Sequence, residues 1–181
     1  MKMTWFVVVL VAAAACNKSD GKPADKTQEV KETKAKADPV AAAEAPPAYK
    51  NAAGEYTVRW PRGNPTESEK PDAKKPDVIW HDAKSPIGAY SVMYADFKDA
   101  TAAQKHVDDY IATMKARTRT TKDVTISGHK ARELEMTISD TATMWIQVFA
   151  VGKREYRVGA GTKNNSAQAH EFLDSFKLEA K

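Results

Sequence analysis

Residues 144–162 read MWIQVFAVGKREYRVGAGT, and this stretch decides the fold. Met144 to Val151 is nearly continuous apolar sequence, as expected of a central strand covered on both faces. Gly152-Lys153 follows as a two-residue turn with glycine first, the residue a type II′ hairpin needs there. Glu155 to Gly161 then returns, with Tyr156 and Val158 directed inward. The stretch therefore predicts a long antiparallel hairpin at the middle of a sheet.

Upstream, Val124–Ser127 and Ala131–Ser139 read as two more strands around a turn at Gly128-His129. In the second, Leu134, Met136 and Ile138 alternate with Glu133, Glu135 and Thr137, the period of a half-buried strand. Asp140-Thr141 turns the chain into the central hairpin. Downstream, Ser166 is placed to cap a helix running through Ser175 that buries Phe172 and Leu173, and Phe176 and Leu178 close the chain.

Further toward the N-terminus, Asp99 is a good helix cap because its carboxylate can accept from the free amides of the first turn. Ala103, Val107, Tyr110, Ile111 and Met114 then fall on one apolar stripe, predicting a helix to about Ala116. A hairpin precedes it: Val78–His81 opens one strand, Pro86 and Gly88 turn, and Ala89–Phe97 forms the other. Tyr56, Val58 and Trp60 alternate with Thr57 and Arg59 in a first strand stopped by Pro61. Residues 62–76 are polar and allow at most a short edge strand around Thr66–Glu69. No repeated strand–helix–strand alternation occurs, which argues against a parallel doubly wound sheet. The order predicts an α+β domain over residues 49–181, an antiparallel sheet packed with two helices.

The chain outside this domain has a different character. Lys2 precedes an unbroken apolar run from Trp5 to Ala15, too short to span a bilayer and suited to a signal-peptide core. Residues 1–15 are therefore expected to be a signal peptide. The run ends in Ala12-Ala13-Ala14-Ala15 directly before Cys16, the sole cysteine of the 181 residues. Residues 16–48 are rich in Lys, Asp, Glu, Ala, Thr and Pro, and Val30 and Val40 stand alone as larger apolar residues. Such a segment buries too little surface to offset its chain entropy and reads as a disordered tether.

Small residues followed at once by Cys16 resemble the lipobox of bacterial lipoproteins, with Ala13 where leucine is usual. The resemblance implies cleavage before Cys16 and attachment of acyl chains such as palmitate to it. The protein would then be anchored in the cell envelope without a spanning helix. Asn17 stands where aspartate signals inner-membrane retention in enteric bacteria. The resemblance thus implies the outer membrane, if the host has one. In the domain, ISGHKARELEM (126–136), residues 144–162 and EFLDSFKL (171–178) together resemble small bacterial lipoprotein domains of the Mog1/PsbP-like fold. That resemblance implies the α+β sandwich and carries no functional residues.

Composition narrows the chemistry. The net charge of +4, from 28 basic and 24 acidic side chains, is small and interspersed, unlike a dedicated nucleic-acid binder. One cysteine permits neither an internal disulfide nor a zinc cluster. His81, His106, His129 and His170 show no paired metal spacing and read as surface or capping residues. There is no G-x-S-x-G elbow, and Gly159–Lys163 lacks the phosphate-loop spacing. No cofactor is implied.

The strongest surface feature is the basic run Lys115, Arg117, Arg119 and Lys122, with Lys130 and Arg132 as possible neighbours. Cations there complement a helix C-terminus, so a solvated helix end accounts for them. They also suit an anionic partner: lipid headgroups, polysaccharide or an acidic envelope protein. Trp145 and Phe149 need cover from a helix or a partner if Met144, Ile146 and Val148 face the main core. The expected function is a non-catalytic binding or scaffolding domain on the envelope. The alternative is an envelope hydrolase that pairs His81 or His129 with a carboxylate.

Overall fold

A computed structural model describes residues 47–179 apart from Arg62, Gly88 and Asn164. The expected signal peptide, Cys16 and nearly all of the expected tether lie outside the described residues. The chain order is β1 (Tyr49–Asn51), β2 (Tyr56–Val58), β3 (Thr66–Pro71), β4 (Ile79–Lys84), β5 (Tyr90–Asp96), α1 (Ala100–Met114), β6 (Thr118–Ile126), β7 (His129–Ser139), β8 (Ala142–Val151), β9 (Arg154–Thr162), α2 (Ser166–Ser175) and β10 (Lys177–Leu178). A single 3-10 turn, Lys115–Arg117, joins α1 to β6. Seven strands form one antiparallel sheet in the order β3-β4-β5-β9-β8-β7-β6, and β1-β2-β10 form a second.

This corrects the expected fold class. The described residues are β-rich, with ten strands in two sheets and only two α-helices, not a balanced α+β sandwich of the Mog1/PsbP-like kind. The largest single source of the error is residues 118–123. They follow a helix and are polar, and they read as a solvated helix end. Instead they begin a nine-residue edge strand paired with β7. An edge strand with both faces largely wet has no apolar alternation to reveal it.

The central hairpin forms as its sequence requires. β8 pairs with β9 from Thr143↔Thr162 to Val151↔Arg154, around Gly152 at φ 55°. Positive φ at the first turn position alone is the type II′ pattern. The β6–β7 turn differs from the expected Gly128-His129. Ser127 (φ 49°) and Gly128 (φ 85°) both take positive φ between paired Ile126 and His129, the type I′ pattern. Ile138 is 57% exposed rather than inward, because the β7–β8 register shifts between Thr137 and Ser139 and breaks the alternation. β3 is an edge strand exposed along its whole length.

Each face of the large sheet has its own cover. Val107 of α1 packs with Leu134, Met136, Ile146 and Val148. On the opposite face Tyr56, Val58 and Trp60 join Phe172 and Leu173 of α2 over Tyr90, Val92, Phe149, Tyr156 and Val158. Trp145 is therefore covered from within, its ring 5.2 Å from that of His170 on α2. Asp99 caps α1 as expected, Oδ1 accepting from the Ala102 amide at 2.7 Å. The cap of α2 is Asn165 and not Ser166; Asn165 Oδ1 accepts from the Gln168 amide at 3.1 Å.

Gly54 marks a close contact between the two sheets. A Cβ there would lie 2.6 and 2.7 Å from carbons of the Tyr56 ring and 2.8 Å from Tyr94. Tyr56 cannot retreat, because its other side stacks on Phe176 at 5.3 Å. Gly54→Ala is expected to lower stability by about 1–3 kcal/mol, as overpacking does. A chemical-denaturation midpoint equal to that of the parent would contradict it.

Candidate functional site

α1 lies over β8 and β9 and stops short of the sheet's β6 edge. The uncovered strip beside it is an open groove of about 1400 Å³, with Ile111 in its apolar lining and the buried Val107 and Val148 beneath. Its polar lining comes from period-2 positions on two strands. Thr121, Asp123 and Thr125 come from β6, and Lys130 and Arg132 come from β7, because residues two apart on a strand share a face, while Arg119 joins them from the bulge before Thr120.

The sequence-predicted basic run is thus divided by the fold. Lys115 and Arg119 line the groove and are joined there by Lys130 and Arg132. Arg117 and Lys122 do not line it. Lys122 stands opposite Glu133, whose buried carboxylate accepts from Gln147 Nε2 at 3.0 Å, and so belongs to the α2 side of the sheet. Four basic side chains face two carboxylates, Asp108 and Asp123, across the groove. Arg132 is held 3.1 Å from Asp123 and Arg119 lies 3.9 Å from Glu135. Among the described residues no ion pair engages Lys115 or Lys130. The groove therefore carries a positive field over an apolar floor, with threonine hydroxyls between the charges.

The two histidines considered for a hydrolase do not assemble one. His81 Nδ1 lies 3.0 Å from Glu69 Oε1, but its ring stacks on Tyr94 and the pair sits in the open on β4 and β3. The 280 Å³ cavity beside it holds Tyr56, Glu67 and Glu69 and no cysteine or threonine to attack a substrate; its one serine, Ser68, is on the exposed edge strand. His129 lines a second cavity of about 540 Å³ with Ser127, Glu55 and Glu179. Ser127 Oγ accepts from the Leu178 amide at 3.0 Å, and no hydrogen bond joins it to His129 among the described residues. The strongest group in that cavity is Arg154, whose guanidinium donates to both Asp96 oxygens, at 2.6 and 3.0 Å, and to the Ala53 carbonyl at 2.8 Å. That hydrogen-bonded guanidinium holds the Asp96 carboxyl below its usual range, against the opposing effect of burial. It is a clamp fastening the loop before β2 to β5 and β9.

A histidine–carboxylate pair does occur elsewhere, at a histidine not considered for chemistry. His106, read as surface or capping, leans from α1 onto β9, its Nδ1 2.7 Å from Glu155 Oε2. Glu155 Oε1 accepts from Arg157 Nε at 2.7 Å, and the Arg157 guanidinium is sandwiched 4.2 Å from the Trp80 ring and 3.8 Å from the Tyr110 ring. Asp72 closes the row. Its Oδ2 lies 3.8 Å from His106 Nε2 and accepts from Trp80 Nε1 at 2.9 Å. Burial acts to raise the Asp72 carboxyl, but hydrogen bonds from Trp80, Lys74 and Lys75 and the charge of His106 outweigh it and hold it low. No serine, threonine or cysteine hydroxyl or thiol takes part, and none of the cavities described above is lined by His106. The network pins α1 to the sheet. A signal for it did exist: a strand beside the apolar β8 is buried on both faces, so Glu155 and Arg157 on its second face had to find each other. Among the described residues no cluster of three metal-ligating side chains forms, and no helix is long and apolar enough to cross a membrane.

No family model matches the chain, and no curated protein matches it. Among solved structures, a crystal structure from Bacteroides thetaiotaomicron is similar at a TM-score of 0.46 and 9% identity. The match covers 76% of this chain and 50% of that chain, so this chain spans about half the length of its neighbour.

Proposed function

We propose that this chain is a lipid-anchored protein of the bacterial cell envelope whose β-rich domain binds an acidic glycan in the groove between α1 and the β6–β7 hairpin. One observation carries the binding half of this reading. Lys115, Arg119, Lys130 and Arg132, drawn from three elements, converge on one open groove with an apolar floor. Carboxylates of a uronate-bearing chain match the cations, sugar hydroxyls match Thr121 and Thr125, and a sugar face matches the partly exposed Ile111. The volume and open form of the groove suit an extended polymer better than a compact substrate. The anchoring half is supported by Cys16 and the small residues before it, and by the tether that would let the domain reach away from the bilayer.

Binding of this kind is steered by charge and weakened by salt. A polyuronate oligosaccharide titrated calorimetrically into the protein is expected to bind, and a neutral glucan of equal length is not. Replacing Lys115, Arg119, Lys130 and Arg132 together by serine, all exposed positions, is expected to weaken binding at least tenfold, about 1.4 kcal/mol. Equal affinity for the neutral glucan, or an unaltered affinity in the fourfold variant, would overturn the glycan reading. Preferential binding to anionic vesicles would move the partner to lipid. For the anchor, mass spectrometry of the membrane-extracted protein is expected to show an N-terminus at Cys16 carrying diacylglycerol. An unmodified thiol or an uncut leader contradicts it.

A further inference from the structure

The register of the large sheet gathers several chain segments at one of its ends. Tyr90, Ala160, Trp145 and Glu135 lie in one row across β5, β9, β8 and β7. Beyond that row come the β4–β5 turn, the 3-10 turn Lys115–Arg117, the end of β7 and the segment after Thr162. Two of the three exposed large apolar side chains stand there: Ile87 in the β4–β5 turn, 48% exposed, and Ile138 near the end of β7, 57% exposed. Their two turns are three strand spacings apart, about 14 Å. The exposed cations Lys115, Arg117 and Lys163 flank them, and these segments carry one carboxylate, Asp140, among the described residues. The third isoleucine, Ile79, opens β4 at the opposite end, near Asp72, Lys74, Lys75 and Asp77, whose charges cancel. The chain also enters the domain from the first end. Tyr49 pairs with Val58 and Asn51 with Tyr56, and Arg154 fixes Ala53 beside Asp96 at the other end. β1 therefore runs away from the end that carries Ile87 and Ile138, and Pro47 and Ala48 precede it on that side.

We infer that this end of the domain docks on an anionic lipid surface, with Ile87 and Ile138 entering the headgroup layer and Lys115, Arg117 and Lys163 meeting the lipid phosphates. A single exposed isoleucine on a protein surface needs no explanation. Two on separate turns, flanked by cations, at the end where the chain enters, match what a bilayer surface offers. Its acyl boundary takes apolar side chains and its anionic headgroups take basic ones. Two isoleucines and three cations make a weak contact alone. A tether that holds the domain beside the bilayer makes a weak contact sufficient. The inference thus rests on the lipid-anchored reading of Cys16 and is independent of the glycan reading. Lys130 and Arg132 lie toward the other end of β7, so docking leaves that part of the groove clear of the bilayer.

Depth of immersion tests it in the full-length protein reconstituted into vesicles. A polarity-sensitive fluorophore is placed at Ile87→Cys, at Ile138→Cys and, for comparison, at Lys153→Cys in the β8–β9 turn, about 30 Å away along β8. The unsubstituted chain, treated alike, controls for Cys16. In vesicles containing phosphatidylglycerol, quenching by nitroxide-bearing lipid is expected to be roughly fivefold stronger at positions 87 and 138 than at 153, as for side chains held in the headgroup layer. In vesicles of phosphatidylcholine alone the difference is expected to vanish. Arg117→Glu with Lys163→Glu, both exposed, is expected to abolish it as well, whereas Lys130→Ser with Arg132→Ser in the groove is expected to leave it intact. Equal quenching at all three positions in a chain that floats with the vesicles overturns the docking and leaves the anchor standing. Loss of the difference in the Lys130 and Arg132 variant moves the lipid to the groove and overturns the docking too. A chain that does not float overturns the anchor, and the docking with it.

Discussion

Replacing Glu155 by alanine is expected to cost about 3–5 kcal/mol of stability, a large share of what holds a domain of this size. Glu155 is 0% exposed and is the carboxylate that Arg157 and His106 both bond. Arg157 has Trp80 and Tyr110 against its two faces, so it cannot swing out to water when its partner is removed. The variant would therefore keep a guanidinium that is only 15% exposed and has lost its paired carboxylate, which is the costly way to break a largely buried pair. Replacing both members, Glu155→Leu with Arg157→Met, removes the charge as well as its partner. It is expected to be less damaging than Glu155→Ala alone. Urea denaturation of the three proteins measures this. A single variant within about 1 kcal/mol of the parent would mean that solvent reaches the pair.

Phe176→Ala is expected to cost a comparable 3–5 kcal/mol, roughly the cost of deleting a buried ring. Phe176 follows α2 and fills the junction of the two sheets. Its ring stacks on Tyr56 at 5.3 Å and meets Phe149 and Tyr156 edge-on at 6.2 and 6.1 Å. The small sheet depends on this junction, because its strands are only two or three residues long and cannot persist without side-chain anchorage. Hydrogen exchange should show Tyr56 and Val58 losing protection before the β8–β9 hairpin does. Uniform loss across both sheets would contradict that order.

These two positions mark the boundary of what the sequence made legible. Phe176 was placed only as a residue that closes the chain, since its junction role depends on a second sheet. The central hairpin, the stripe of α1 and the cap at Asp99 were readable, because each is written in local period or turn chemistry. Glu155 was not, since a charged residue on a strand reads as outward-facing unless the strand is known to be covered on both sides. The same blindness hid β6. Thr118–Asp123 carries no alternation because neither face packs, and only pairing with β7 makes it a strand. That omission is what turned a β-rich fold into an expected α+β sandwich. The groove suffered in turn. Lys115 and Arg119 were visible as a basic run, while Lys130 and Arg132 reach them only because β6 and β7 form a hairpin beside α1.

The glycan groove is tested most directly by amide chemical-shift mapping of the domain during titration with a polyuronate oligosaccharide at low and high salt. Shifts are expected to concentrate at Lys115, Arg119, Thr121, Thr125, Lys130 and Arg132, and to fade as salt rises. Shifts clustered instead around Glu67, Glu69 and His81, or none that saturate, would contradict the assignment of the groove.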